Sequence, residues 1–407
     1  MATPSSHLHP SDLHGLSRLA VDGVLGTTAL VEQLHHTIAR VSAPLGKPGR
    51  GQTRGITGLV YRSIHQVSGA VGKTADFAFS RIVPRLQPRS STPEREQLLA
   101  IVNGVLGDHL DATANPLAIG MNLRIGGRPL VLDAEAMVRS IQHPRRKLLI
   151  VIHGLCRNDL QWTPDETMPG RCLPSGLSEA LGYTPLHLHY NTGRHISTNG
   201  RELAGLLETL VREWPETVEE LVLLGHSMGG LVARSACHYG AESGNAWLEK
   251  VARVVMLGSP HHGAPLERVG HKVDRLLALS PYSAPFTRLG KIRSAGITDL
   301  RHGNLRDRDW MGQDRFAQSH DQRHPVTRPD HIVWHAIAAT SDSRSDSLKS
   351  RYLGDGLVPI DSALGRHPDP DRHLPIAPDH QLVVHNTRHL GLIHHPEVHR
   401  KVHEWLR

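Results

Sequence analysis

The stretch 219–234, EELVLLGHSMGGLVAR, constrains this chain more than any other. A short apolar run at 221–224 passes directly into Gly225-His226-Ser227-Met228-Gly229-Gly230, and the spacing from Leu231 to His238 predicts a helix. The inner five residues read G-x-S-x-G. A serine at a sharp strand-to-helix turn takes a strained backbone conformation and carries its hydroxyl clear of the sheet. Strand and helix then approach so closely that the positions two before and two after it have no room for a Cβ. Gly225 and Gly229 supply that room. The same turn leaves the Met228 N–H at a helix N-terminus, where it can donate to an oxyanion. Five letters recur by accident; the strand before them and the helix after them single this copy out.

A chain of 407 residues accommodates one large domain with an appendage. No run of 18 apolar residues exists, which excludes a spanning helix on sequence grounds. The start, MATPSSHLHPSDLHG, lacks the basic and apolar regions of a secretory signal. The three cysteines, Cys156, Cys172 and Cys237, are read as free thiols of a reducing compartment, so the expected location is the cytoplasm. A net charge of +7 invites an anionic partner. The basic residues are scattered, however, and aromatics are only 4%, with no nucleic-acid motif. The expectation is a solvated basic surface and no nucleic-acid partner. The 31 histidines make the positive charge climb below pH ~6.5, without assigning a function.

Taken in order, residues 1–115 read as a helical N-terminal extension. Val31, Leu34, Ile38 and Val41 recur at helical spacing, as do Val60, Ile64, Val67 and Val71. A faint duplication relates 26–31 to 55–60, with His36 and His65 at the same offset. The amphipathic, Gly-rich character permits peripheral membrane contact, the alternative being packing on the main domain. A Pro-, Ser- and Arg-rich linker spans 83–96, and one more helix carries Leu98, Val102, Val105 and Leu106.

From 116 to 407 the texture is that of one α/β domain. Residues 118–125 and 129–132 form a hairpin turned by Gly126-Gly127. The run 148–152 is apolar throughout, as a strand buried on both faces requires, and leads into His153-Gly154-Leu155-Cys156. Strands at 185–190, 251–257, 331–339 and 381–385 alternate with helices at 200–214 and 397–406. The excursion 264–329 has little strand signal and is expected to cap the site.

A serine hydroxyl needs a base within hydrogen-bond reach and a third group to orient that base. In an α/β-hydrolase the acid and then the histidine follow the serine along the chain, and the loop after an earlier strand supplies the second oxyanion N–H. Leu155 holds that position, with Gly154 allowing close approach. Asp355, between Gly354 and Gly356, is the leading acid; Asp361, Asp342 and Asp346 are rivals. For the base, His389 precedes the apolar run 390–393, and His385 is second. The pairs His187/His189, His261/His262 and His394/His395 lack a third ligand, so no metal site and no cofactor are expected.

The motifs HGLC, GHSMGG, GSPHHG, GDGLVP and HLGLIHHPEV as a set resemble α/β-hydrolase lipases and esterases. The subgroup they are most similar to includes GPI inositol-deacylase-like and triacylglycerol-lipase-like proteins. The resemblance covers residues 116–407. It implies a mostly parallel sheet flanked by helices, with Ser227 as nucleophile, Asp355 as acid and His389 as base. Leu155 and Met228 would be the oxyanion donors, framed by His153, Gly154, Gly225, His226 and Gly229. The implied activity is hydrolysis of a small-molecule or lipid carboxylic ester through an acyl-enzyme. The same triad also serves thioesterases, amidases and acyltransferases. A reading from another class is a hydrolase-fold scaffold at a membrane. Oligomeric state has no signal in the sequence.

Overall fold

The computed structural model describes residues 9–40, 55–82, 91–141, 143–162, 172–263, 293–315, 321–326, 328–343 and 354–407. The chain divides into two compact units: Met1–Arg95 with Ala112–Ala118, and Glu96–Asp111 with Ile119–Arg407.

The first unit is built on two long helices, α1 (Pro10–Arg40) and α2 (Gly55–Ile82). His14 bonds Asp76 across 2.7 Å and stacks on Phe79, while Val21 lies where a Cβ on Gly72 would come 2.8 Å from it. This pairing of early with late residues makes the two helices an antiparallel hairpin. Val67, Val71 and Phe77 of α2 are exposed. No helix among the described residues is long and apolar enough to cross a membrane. Residues 83–90 of the expected linker, and the side chains of the two matching segments near 26 and 55, lie outside the described residues.

The third helix, α3 (Pro93–Ala112), departs from the expected boundary at 115/116. Ala100, Ile101, Val102, Val105 and Leu110 are buried, and Ile101 and Val105 belong to the core of the second unit. An apolar helix follows the core that covers it, not the linker that precedes it.

The remaining elements are β1 (Asn122–Ile125), β2 (Arg128–Pro129), α4 (Ala134–Ser140), β3 (Lys147–Ile152), α5 (Leu173–Leu181) and β4 (Tyr183–His189). Then come α6 (Ile196–Glu213), β5 (Glu220–His226), α7 (Met228–Ser243), β6 (Val251–Leu257), α8 (Ala295–Asp299), β7 (Val333–Ala339), β8 (Gln381–Val384) and α9 (Pro396–Leu406). Helices α4 and α5 have no counterpart in the expected elements; both are too short for periodicity to stand out.

The sheet runs β2-β1-β4-β3-β5-β6-β7-β8, antiparallel across β2, β1 and β4 and parallel beyond. Gly126 and Gly127, both at positive φ, turn the hairpin. Along β3 the period of two sends Leu148, Ile150 and Ile152 to the core shared with α6 and α7. Leu149 and Val151 go to the opposite face, with α5 and α9. Apolar residues at successive positions are therefore what a doubly covered strand requires. This is an α/β-hydrolase fold: a mostly parallel sheet, helices on both faces, and a strand–serine–helix turn at its centre.

Of the expected cap, residues 264–292, 316–320 and 327 lie outside the described residues. The described residues from 293 belong to the second unit and are tied into it. Ser294 Oγ donates to the Gly104 carbonyl at 2.6 Å, Ser235 Oγ to Leu305 O at 2.7 Å, and Trp310 Nε1 to Ser197 Oγ at 2.9 Å.

Candidate active site

The turn between β5 and α7 places Ser227 at φ 55° and ψ −123°, backbone space that a side chain rarely occupies. Strain of this kind persists only where its surroundings over-determine it. Ser227 N–H donates to the Leu257 carbonyl at 2.8 Å, tying the turn to β6. A Cβ on Gly225 would come 2.4 Å from the Gly230 nitrogen. On Gly229 it would come 2.3 Å from the Ile152 carbonyl oxygen. Both glycines are therefore required by close backbone packing, as the pentapeptide suggested.

Opposite the turn, the loop after β3 brings Gly154 up to the serine; a Cβ there would stand 3.0 Å from Ser227 Cβ. Met228 is the first helical residue of α7, so its N–H has no intrahelical carbonyl to meet. Among the described residues the Leu155 N–H donates to nothing either. Two backbone N–H groups, next in the chain to Ser227 and to Gly154, are thus left without a partner among the described residues.

Asp355 and His389 come together from loops 34 residues apart. His389 Nδ1 donates to Asp355 Oδ2 at 2.7 Å, and both side chains are buried. Asp355 Oδ1 accepts from the Leu357 and Val358 N–H groups at 2.9 Å each, and the His389 N–H reaches the Asp355 carbonyl at 3.3 Å. Gly354 at φ 52° and Gly356 at φ 97° make the turn. Asp355 itself is buried, only 3% exposed, while Gly356 of the turn is exposed. Two backbone donors and an imidazole satisfy the carboxylate there, so burial leaves it no unpaired oxygen.

His389 lies beside the serine's own neighbour. His226 Nε2 donates to the His389 carbonyl at 3.2 Å, and their rings are 4.9 Å apart. Burial and the nearby His389 push the His226 pKa well below the usual range, so this ring is neutral. His153 is neutral for the same reason: burial pushes it down to about 3, while its Nδ1 donates to the Gly154 carbonyl at 3.0 Å. The Ser227 hydroxyl makes no hydrogen bond among the described residues.

Of the rivals, Asp361 faces Arg366 and Asp346 lies outside the described residues. The ring Nδ1 of His385 is buried without a partner among the described residues.

Several supporting residues were not anticipated. Tyr190 donates to the His153 carbonyl at 2.8 Å and stacks on its ring, and Trp162 sets its edge to His226. Behind them Arg124 bridges Glu96 at 3.0 Å and Asp159 at 3.1 Å, with His189 3.4 Å from Asp159. Burial raises the Asp159 carboxyl, but His189 and Arg124 outweigh it and hold it down to about 2. These partners are far apart in sequence and leave no local pattern.

The family described as PGAP1-like alpha/beta domain matches residues 191–341, which includes the serine turn. No curated protein matches the chain by sequence. Among solved structures the chain is similar to a mature Bacillus licheniformis lipase, 18% identical over 65% of this chain and 93% of that one, at a TM-score of 0.43. It is also similar to a lipase-esterase related protein from Clostridium acetobutylicum, 13% identical over 64% and 93%, at 0.35. A third is Aspergillus fumigatus lipase B, 11% identical over 62% and 50%, at 0.36.

Proposed function

We propose that the second unit hydrolyses carboxylic esters of small molecules or lipids through a Ser227–His389–Asp355 triad. The observation that carries this reading is the buried 2.7 Å bond from His389 Nδ1 to Asp355, with His389 against His226, the chain neighbour of a serine held at positive φ. A carboxylate on Nδ1 fixes the tautomer that leaves Nε2 free to take a proton.

In the proposed reaction Ser227 Oγ attacks the ester carbonyl as His389 Nε2 accepts its proton. The Met228 and Leu155 N–H groups receive the charge that develops on the carbonyl oxygen. His389 then protonates the departing alkoxide, leaving an acyl-serine. Water, activated by the same imidazole, releases the acid. The Ser227–His389 hydrogen bond forms as substrate binds, a tightening common to such sites.

The test is hydrolysis of p-nitrophenyl esters from acetate to palmitate by the wild type and by Ser227→Ala. Loss of the nucleophile is expected to lower the rate about 10⁴-fold. The chain-length optimum then separates an esterase from a lipase. Equal activity in the variant would overturn the role of Ser227.

A further inference from the structure

A cavity of about 310 Å³ lies in the second unit, lined by Arg234 of α7, His261 of the loop after β6, and Arg323, His324, Arg328 and Arg372. Its size falls at the low end of small-molecule sites, roughly 300–1,000 Å³. Asp309, Asp330 and the exposed Asp371 also line it. Asp321 holds Arg323, at 2.8–2.9 Å, and Arg372. Asp309 is taken up by the Leu305, Arg306 and His324 N–H groups, and Asp330 faces Arg328.

Among the described residues Arg234 has no such partner. It is 7% exposed, and its one hydrogen bond among the described residues runs from a guanidinium nitrogen to His261 Nδ1 at 3.2 Å. Burial, together with Arg323 and Arg328, pushes its pKa down to about 9, which leaves it charged at neutral pH. A buried charge without a counter-ion is costly enough that folded proteins seldom keep one unpaired. Because His261 Nδ1 accepts from Arg234, the proton sits on Nε2, which is fully buried and has no partner among the described residues.

We propose that this cavity binds a phosphate group, either inorganic phosphate or the monoester of a small molecule. A tetrahedral dianion presents several acceptors at once. The Arg234 fork and the half-buried Arg328 can share them, whereas a carboxylate is planar and carries a single charge. The proposal is independent of the esterase reading: the cavity lies about two helical turns along α7 from Ser227 and uses none of the triad.

The experiment is titration calorimetry of the full chain with inorganic phosphate and with glycerol 3-phosphate, in sodium chloride of matched ionic strength. The wild type is expected to show saturable binding. Arg328→Ala, a half-buried rim change, should weaken it about tenfold or more. Arg234→Met should abolish it while the apo protein melts no lower than the wild type, because the change removes an uncompensated buried charge. Tighter binding of glycerol 3-phosphate assigns the site to a phosphorylated small molecule, and tighter inorganic phosphate to the free ion. Absence of saturable binding in the wild type would overturn the proposal, as would unaltered binding in Arg328→Ala. The second result decides the matter even where Arg234→Met does not fold.

Discussion

Replacing Asp355 with Asn keeps an acceptor for the Leu357 and Val358 N–H groups but allows an amide nitrogen to stand opposite His389 Nδ1. The imidazole must then carry its proton on Nε2, where the proposed base needs a lone pair. A kcat loss of about 10⁴ is expected, with the fold retained. Kinetics together with a thermal melt check this. A variant that is both active and well folded would remove Asp355 from the mechanism. The same scale explains why His226 and His153 are poor rivals for the base despite their position. Burial holds both rings neutral, and each already spends one ring nitrogen on a backbone carbonyl.

At the scale of elements, the site depends on how closely α7 crosses β3. Gly229 sits where a methyl group would collide with the Ile152 carbonyl, and neither backbone segment can yield without moving the serine. Gly205, inside α6, has nothing within 4 Å of where its Cβ would be. The two helices therefore predict opposite outcomes for one substitution. Gly205→Ala should stabilise by roughly 0.5–1 kcal/mol through helix propensity. Gly229→Ala should destabilise by about 1–3 kcal/mol or more, as overpacking does, and lower activity with it. Denaturant unfolding of the pair measures both; equal effects would mean that the crossing is looser than described.

Across the second unit, several histidines are buried and neutral. Burial pushes His153 and His335 down to about 3 and His262 to about 4, and holds His226 and His261 well below the ordinary value. In the unfolded chain each takes up a proton near pH 6.5. Between that value and the folded pKa the unfolded state binds more protons, so stability rises with pH. Stability should be complete above pH ~6.5 and fall steeply below it, by up to about 1.4 kcal/mol per pH unit for each such ring. Melting from pH 8 to 4, with proton uptake on unfolding measured in parallel, checks this. A flat profile would contradict the burial of these rings.

The strands and the elbow were legible in the sequence because their causes are local. Four central strands, β3, β5, β6 and β7, carry apolar runs, and a serine held between strand and helix demands glycine two positions away on each side. The proposed order Ser227, Asp355, His389 comes from the same topology, which puts each on a loop beyond a strand. Other features depend on residues brought together only by folding. No local pattern announces that α3 joins the second unit, that Asp355 is buried, or that Arg124 meets Glu96 and Asp159 beside His189. The same holds for Arg234: in sequence it is one cation among 46, and only the packed cavity leaves it without a counter-charge. Periodicity and turn chemistry act over a few residues and can be read along the chain. Desolvation and charge pairing depend on the environment that distant residues build, and so were decided by the tertiary structure.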